Sequence, residues 1–223
     1  MTDTEPTTSL LPRLERIDAS SLSDADKSLR VVSAAIRPVR PGVRLLGRAV
    51  TAQANADLMS VIAALEQAGA GDVLVVEAGS PDWAVAGELF ATEAGRRGLA
   101  GIVIDGLCRD TPTLRTLELP VFARGATPRA CPARKLPVTQ VPVSVGGVVI
   151  NPGDLLLGDD DGIVVGADAE LTAALDRAEA IQSGEEVLRA HILAGTSIFA
   201  AMNYKDHLAR LEAGQDSALS LGF

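Results

Sequence analysis

Three polar residues stand where a parallel sheet would place chemistry. Glu88 lies in the stretch AGSPDWAVAGEL, and Arg109 and Asp110 close the stretch DGLCRD. Each stretch follows a short apolar run, DVLVVEAG or LAGIVIDG, that reads as a buried strand. Twenty residues lie between Glu88 and Arg109, enough for one helix and one strand. Ligands of open parallel sheets bind just beyond the carboxyl ends of the strands. A strand-helix-strand unit here therefore brings the two loops together. Carboxylates at Glu88 and Asp110 are hard oxygen donors of the kind Mg²⁺ or Mn²⁺ takes, directly or through water. Arg109, charged at any working pH, can stabilise negative charge on a substrate oxygen. The free amides opening the helix can hold an anion such as a carboxylate. The same residues also read as a turn ion pair, with Glu88 a solvated helix residue; at this level both readings stand.

Other chemistries find little footing. The three lysines, Lys27, Lys135 and Lys205, lie outside both loops, so a Schiff-base mechanism lacks its amine, and carbanion chemistry in these loops would need a metal as electron sink. There is no GxSxG, no HExxH, no P-loop and no GxGxxG. His191 and His207 fall in C-terminal helical sequence, sixteen residues apart. Cys108 and Cys131 have no CxxC spacing and read as inert buried thiols. GDDDG at 158–162 lacks the ligand pattern of a calcium loop and reads as a tight turn between strands. Trp83, the one tryptophan, reads as a packing residue, with its loop position leaving a pocket-wall role open.

The elements that would hold these residues follow from periodicity and breakers. Residues 1–12 read as a flexible arm, and Arg13 to Ala25 as a short helix carrying Leu14 and Ile17. SLRVVSAAIRPVRPGVRLLGRAVTAQA reads as strands joined by Pro and Gly turns. DLMSVIAALEQAGAGD is helical with a glycine stop, and AVAGELFATEAGRRG repeats that pattern between the two buried strands, which predicts a right-handed βαβ unit. Thr111 opens another short helix; Pro120 to Val165 reads as several strands, and the chain beyond Asp168 as helical. One α/β domain over 13–214 and a frayed tail at 215–223 complete the expected organisation.

With 20 basic against 29 acidic residues, the net charge of -9 and 3% aromatic content argue against a nucleic-acid surface. No apolar run reaches the ~20 residues of a bilayer span, and the first residues lack a secretory pattern. A cytoplasmic protein is the expectation.

The succession IRPVRPGVRLLGRAVTA, GAGDVLVVEAGS, AGELFATEAGRRGLAGIVIDGLCRD, LPVFARGATP and GGVVINPGDLLLGDDDGIVV resembles the RraA-like family, which includes 4-hydroxy-4-methyl-2-oxoglutarate/4-carboxy-4-hydroxy-2-oxoadipate aldolases. The family signature is an acid, twenty residues, then Arg-Asp; here it is Glu88 and Arg109-Asp110, with Glu where many aldolases carry Asp. The resemblance implies a three-layer β/β/α fold with C-terminal helices and a homotrimer or hexamer. It implies Asp110 as ligand to Mg²⁺ or Mn²⁺, Glu88 holding the metal's waters, and Arg109 on the pyruvyl oxygen. The amides of Gly87, Glu88 and Leu89 would take the substrate carboxylate, and Glu186 would reach a neighbour's site. The implied activity is metal-dependent cleavage of 4-hydroxy-2-oxo diacids to pyruvate and a second 2-oxo acid, with oxaloacetate decarboxylation beside it. The alternative it carries is a non-catalytic, protein-binding regulator of ribonuclease activity.

Overall fold

The computed structural model describes residues 10–220. The chain opens with α1 (Leu10–Leu14) and α2 (Ala19–Ala25), not with one helix. Asp18 breaks the run by capping α2, its carboxylate accepting the Ser21 amide at 2.6 Å. Of the expected arm, residues 1–9 lie outside the described residues, and residues 10–12 are helical.

A nine-stranded mixed sheet organises the domain. Its strands are β1 (Arg30–Val31), β2 (Arg37–Pro38), β3 (Leu45–Gln53), β4 (Asp72–Glu77), β5 (Ala84–Ala86), β6 (Gly101–Cys108), β7 (Val121–Ala126), β10 (Leu155–Asp159) and β11 (Gly162–Gly166). They lie in the order β1-β11-β10-β3-β4-β6-β7-β2, with β5 added beside β6. The β3, β4, β6, β7 stretch is parallel, so the expected βαβ unit is present with β4 and β6 as direct neighbours. The turn at Asp159–Gly162 joins antiparallel β10 and β11, as its sequence predicts. A separate hairpin pairs β8 (Val143–Val145) with β9 (Val148–Ile150).

Alternation of side chains across the strands builds two cores from one sheet. Val73, Val75, Val103 and Phe122 face inward, where the curled sheet meets Leu156, Ile163 and the hairpin residues Val145 and Ile150. Leu74, Val76, Ile102 and Ile104 face outward against α3 (Met59–Gln67) and α4 (Glu88–Arg96). All of β4 from Val73 to Val76 is fully buried, which explains its unbroken apolar sequence; each such side chain contributes roughly 1.5–3 kcal/mol. The two halves of the curled sheet form the β layers and α3 and α4 the α layer. The antiparallel half is covered outside by α2 and the start of α6 (Asp168–Leu193).

Both central strands run further than their apolar segments. Gln53, Glu77 and Asp105 stand side by side in register across β3, β4 and β6. Like charges opposite one another are unfavourable, and the neighbours compensate them. Glu77 accepts the Ser144 amide at 3.0 Å, Asp105 accepts the Gly146 amide at 2.7 Å, and Arg124 pairs with Asp105. The polar row thus docks the β8–β9 hairpin.

At the other end the chain leaves the body. Beyond Leu188 no described residue is buried, through a 3-10 turn at Ile198–Ala200 and α7 (Tyr204–Glu212). Phe199, Leu193 and Leu211 are 66%, 77% and 52% exposed, an apolar surface that a lone chain leaves in water. The described part of the tail is not frayed: Asn203 exchanges hydrogen bonds with Ser220, and the His207 ring meets the Ser217 hydroxyl at 2.9 Å. No described helix is long and apolar enough to cross a membrane.

Candidate active site

The two loops expected to meet do so, and more tightly than the sequence suggests. AVA at 84–86 is not helical: small residues let it lie as β5 beside the end of β6, with Ala84 opposite Leu107 and Ala86 opposite Cys108. The helix starts only at Glu88, with Gly87 as N-cap. β6 in turn runs to Cys108, so the second loop shrinks to Arg109 and Asp110. The Arg109 amide donates to the Ala86 carbonyl at 3.0 Å, which holds the loop against β5.

Asp110 adopts the left-handed conformation, φ 58° and ψ 36°, which Asp tolerates better than most residues. That bend returns its carboxylate to the start of α4, where Oδ2 accepts the Glu88 amide at 3.2 Å and lies 3.3 Å from Arg109 Nε. Oδ1 makes no hydrogen bond among the described residues. Gly87 is buried directly beneath: a Cβ there would collide with Asp110 Oδ2 and come within 2.8 Å of Arg109 Cγ. The absence of a side chain at 87 is therefore what lets Arg109 and Asp110 lie on the helix N-terminus. The ion pair alone is a poor reason for this geometry, since its side chains are 40% and 34% exposed and such pairs contribute only about 0–1 kcal/mol.

Beside the turn is a pocket of about 50 Å³. Arg109 is the one charged side chain in its lining, and Leu58, Ala84, Ala86, Gly87, Leu89, Phe90 and Ala130 form the rest of the wall. Leu89 is 70% exposed at the mouth. The wall residues escaped sequence reading because small and apolar side chains carry no chemical mark. Trp83 does not line the pocket. It packs against the core beneath Arg129, whose guanidinium stands 5.2 Å from the ring centre.

Glu88 meets Asp110 through its backbone amide alone, and the other expected groups lie elsewhere. Glu88 makes no side-chain hydrogen bond among the described residues and is half-buried. Glu186 is exposed on α6, which packs on α1, α2 and β11, four strands from β6 in the sheet order. Within one chain it is not brought to Arg109 or Asp110. Burial pushes the thiols of both Cys108 and Cys131 up, as suits inert cysteines. Among the described residues no three His, Cys, Asp or Glu side chains gather as metal ligands. Among the described residues, three of the four non-glycine residues with left-handed backbones, Asn55, Ala56 and Asp110, lie at carboxyl ends of parallel strands. Such conformations concentrate at functional sites.

Comparison with known proteins adds the following. The profile of the RraA-like family, described as Aldolase/RraA, matches residues 19–165. A protein of Halalkalibacterium halodurans named "Putative 4-hydroxy-4-methyl-2-oxoglutarate aldolase" is 34% identical over 178 residues, 79% of this chain and 85% of that one. The crystal structure of an uncharacterised protein from Pseudomonas syringae pv. tomato matches with a TM-score of 0.77 and 31% identity, covering 87% of this chain and 96% of the other. The RNA-processing inhibitor RraA of Thermus thermophilis matches at 0.61 and 33% identity, covering 66% of this chain and 90% of its own.

Proposed function

The chain belongs to the RraA-like family, and on that premise we propose that it is a divalent-metal-dependent lyase cleaving 4-hydroxy-2-oxo diacids to pyruvate and a second 2-oxo acid, with oxaloacetate decarboxylation as a side activity. The observation that carries this reading is the seating of Arg109 and Asp110 on the α4 N-terminus over a glycine whose Cβ would displace both side chains. The aldolase name of the Halalkalibacterium relative supports it.

In this reading the Gly87 and Leu89 amides and the α4 helix dipole hold the substrate carboxylate, while the Glu88 amide stays on Asp110. Arg109 faces the 2-oxo oxygen, where its fork of donors meets the charge that grows as the C3–C4 bond breaks. Glu88 orders a water at the C4 hydroxyl that relays the hydroxyl proton to the Glu88 carboxylate, and the same relay returns it to C3 of the enolate. The bonding electrons pass into a pyruvate enolate, which is then protonated at C3. Oxaloacetate loses CO₂ to the same enolate. The apolar walls at Ala84, Ala86 and Phe90 accept the methylene side of the substrate and exclude water.

The donor set fits Mg²⁺ or Mn²⁺. Asp110 has one carboxylate oxygen without a protein partner among the described residues and Glu88 is the neighbouring acid, a pair of oxygen donors of the kind that would hold an ion through one or two carboxylates and waters. When bound, the ion supplies Lewis-acid polarisation of the 2-oxo group. Glu186 cannot serve its own chain's site, so its role belongs to a neighbouring copy in a homotrimer or hexamer. The exposed apolar segment from Leu193 to Leu211 favours such an assembly.

A second reading, a protein-binding regulator of ribonuclease activity, is favoured by the likeness to the Thermus inhibitor. The experiment that separates the two is pyruvate release from oxaloacetate by EDTA-stripped and Mg²⁺-reloaded protein. Lyase function gives release that returns with Mg²⁺; no release in either state rejects it. Light scattering on the same sample tests the assembly, and a 23.0 kDa monomer at micromolar concentration rejects the role of Glu186.

A further inference from the structure

We propose that the chain carries a second ligand site, for a small dianion with carboxylate or phosphate oxygens, in the cavity of about 290 Å³ between β2, α5 (Thr111–Leu114) and β7. Three guanidinium groups line it from three separate elements: Arg37 of β2, Arg115 at the end of α5 and Arg124 of β7. No acidic side chain does. In a chain of net charge -9, three like positive charges around one hollow are not background composition. Arg124 shares its charge with Asp105, but Arg37 and Arg115 have no ion-pair partner among the described residues, and an anion between them would be attracted by both.

The donors are largely unspent. Arg115 forms no side-chain hydrogen bond or ion pair among the described residues. Arg37 commits one amino group to the carbonyls of Asp160 and Asp161, at 3.1 and 3.2 Å. Arg124 commits only Nε, to Asp105. A guanidinium has five N–H donors in a planar fork, so each arginine keeps an edge able to take two oxygens of a carboxylate or phosphate. Thr111 adds a hydroxyl to the same wall. The charge count sets the ligand class: Arg124 is already paired with Asp105, so the uncompensated charge is that of Arg37 and Arg115, of which a monoanion would leave half and which a dianion neutralises.

This cavity shares no lining residue with the pocket that holds Arg109 and Gly87. It nonetheless touches the same turn from behind, because Cys108 and Thr111 bracket Arg109 and Asp110 in sequence. The site does not depend on the lyase reading.

The test is calorimetric titration of EDTA-treated full-length protein at constant ionic strength with inorganic phosphate, succinate and acetate. Wild type, Arg115→Gln, Arg37→Gln and Arg109→Gln are compared, each with its melting curve. One saturable site per chain for phosphate or succinate is expected, and the dianion that binds tells which oxygen chemistry the site takes. Acetate should bind at least about tenfold more weakly, and Arg115→Gln should weaken the dianion about tenfold, the scale of lost hydrogen bonds to a charged group. Arg109→Gln should leave binding unchanged. If Arg115→Gln lowers the melting temperature, Arg37→Gln carries the same expectation. The proposal is overturned if neither dianion saturates, if acetate binds as well, if both outer variants bind like wild type, or if Arg109→Gln removes the binding and so places the anion in the other pocket.

Discussion

Gly87→Ala isolates the contact on which the site depends. The backbone at 87, φ -155° and ψ -160°, is extended and open to any residue, so the substitution acts through its methyl group alone. That group would press on Asp110 Oδ2 and lie 2.8 Å from Arg109 Cγ and 3.1 Å from Arg109 Nε. Carbon contacts settle at about 3.5–4.0 Å, so the Arg109 side chain must retreat by roughly 1 Å and take the Asp110 carboxylate with it. A displacement of that size costs on the order of 10²-fold in rate. The stability cost should fall at the lower end of the roughly 1–3 kcal/mol of overpacking, because both displaced side chains are partly exposed and can move into solvent. About 1 kcal/mol shifts the melting temperature of a domain this size by only ~2–4 °C. Steady-state oxaloacetate decarboxylation, thermal melting and Mn²⁺ binding by electron paramagnetic resonance, on one preparation, separate the two effects. A variant whose kcat stays within about threefold of wild type, with unchanged Mn²⁺ affinity, would refute the reasoning, since a loss that small removes no transition-state contact.

Arg109 and Asp110 should fail differently. Asp110→Asn weakens Mn²⁺ binding and activity together, with partial recovery at high Mn²⁺, whereas Arg109→Lys keeps metal affinity and loses about 10²-fold in kcat; equal effects on both quantities would contradict the assignment. Ala56 sits at φ 59°, where a side chain costs ~1–2 kcal/mol, while glycine adds only ~0.5–1 kcal/mol of unfolded-state entropy. Ala56→Gly should therefore raise the urea midpoint slightly, and a lowered midpoint would count against strain there. Asp57 is 1% exposed; burial pushes its pKa up, but the amides of Met59, Arg134 and Lys135 and the Lys135 charge outweigh this and hold it below its usual value. Its stabilisation is thus fully present above the unfolded value near 3.9 and fades as pH falls through the lower folded value. Asp57→Asn should melt lower than wild type at pH 7, with the gap closing below about pH 4; a gap constant with pH would refute this.

The parallel unit and its site were legible because two signals agreed. The continuous apolar runs of β4 and β6 mark strands buried on both faces, and the helix between them ends in glycine, so the position of Arg109-Asp110 at a strand end follows from order alone. The edges were not legible. The apolar runs of β4 and β6 stop at Val76 and Ile104, yet Glu77 and Asp105 continue the ladders, their charges met by the hairpin amides and Arg124. Such compensation comes from residues up to 67 positions away and has no local trace. β5 hid for a related reason: Ala-Val-Ala has weak strand preference, and only the open edge of β6 makes it a strand. The steric need for Gly87 was invisible, since it concerns atoms of Arg109 and Asp110 more than twenty positions on. The tail at 215–220 lacks apolar periodicity and is held through the side chain and backbone of Asn203, which sequence does not single out.

The account rests on Arg109, Asp110 and a divalent cation acting together on a pyruvate enolate. Proton NMR of pyruvate in D₂O tests that most directly, because methyl proton exchange requires the enolate and no other substrate. With Mg²⁺, wild-type protein should exchange the methyl protons well above the protein-free rate, EDTA should return exchange to that rate, and Arg109→Lys should lower it about 10²-fold at unchanged Mg²⁺. Exchange that survives EDTA, or that proceeds equally in Arg109→Lys and Asp110→Asn with both folded as wild type, would contradict it.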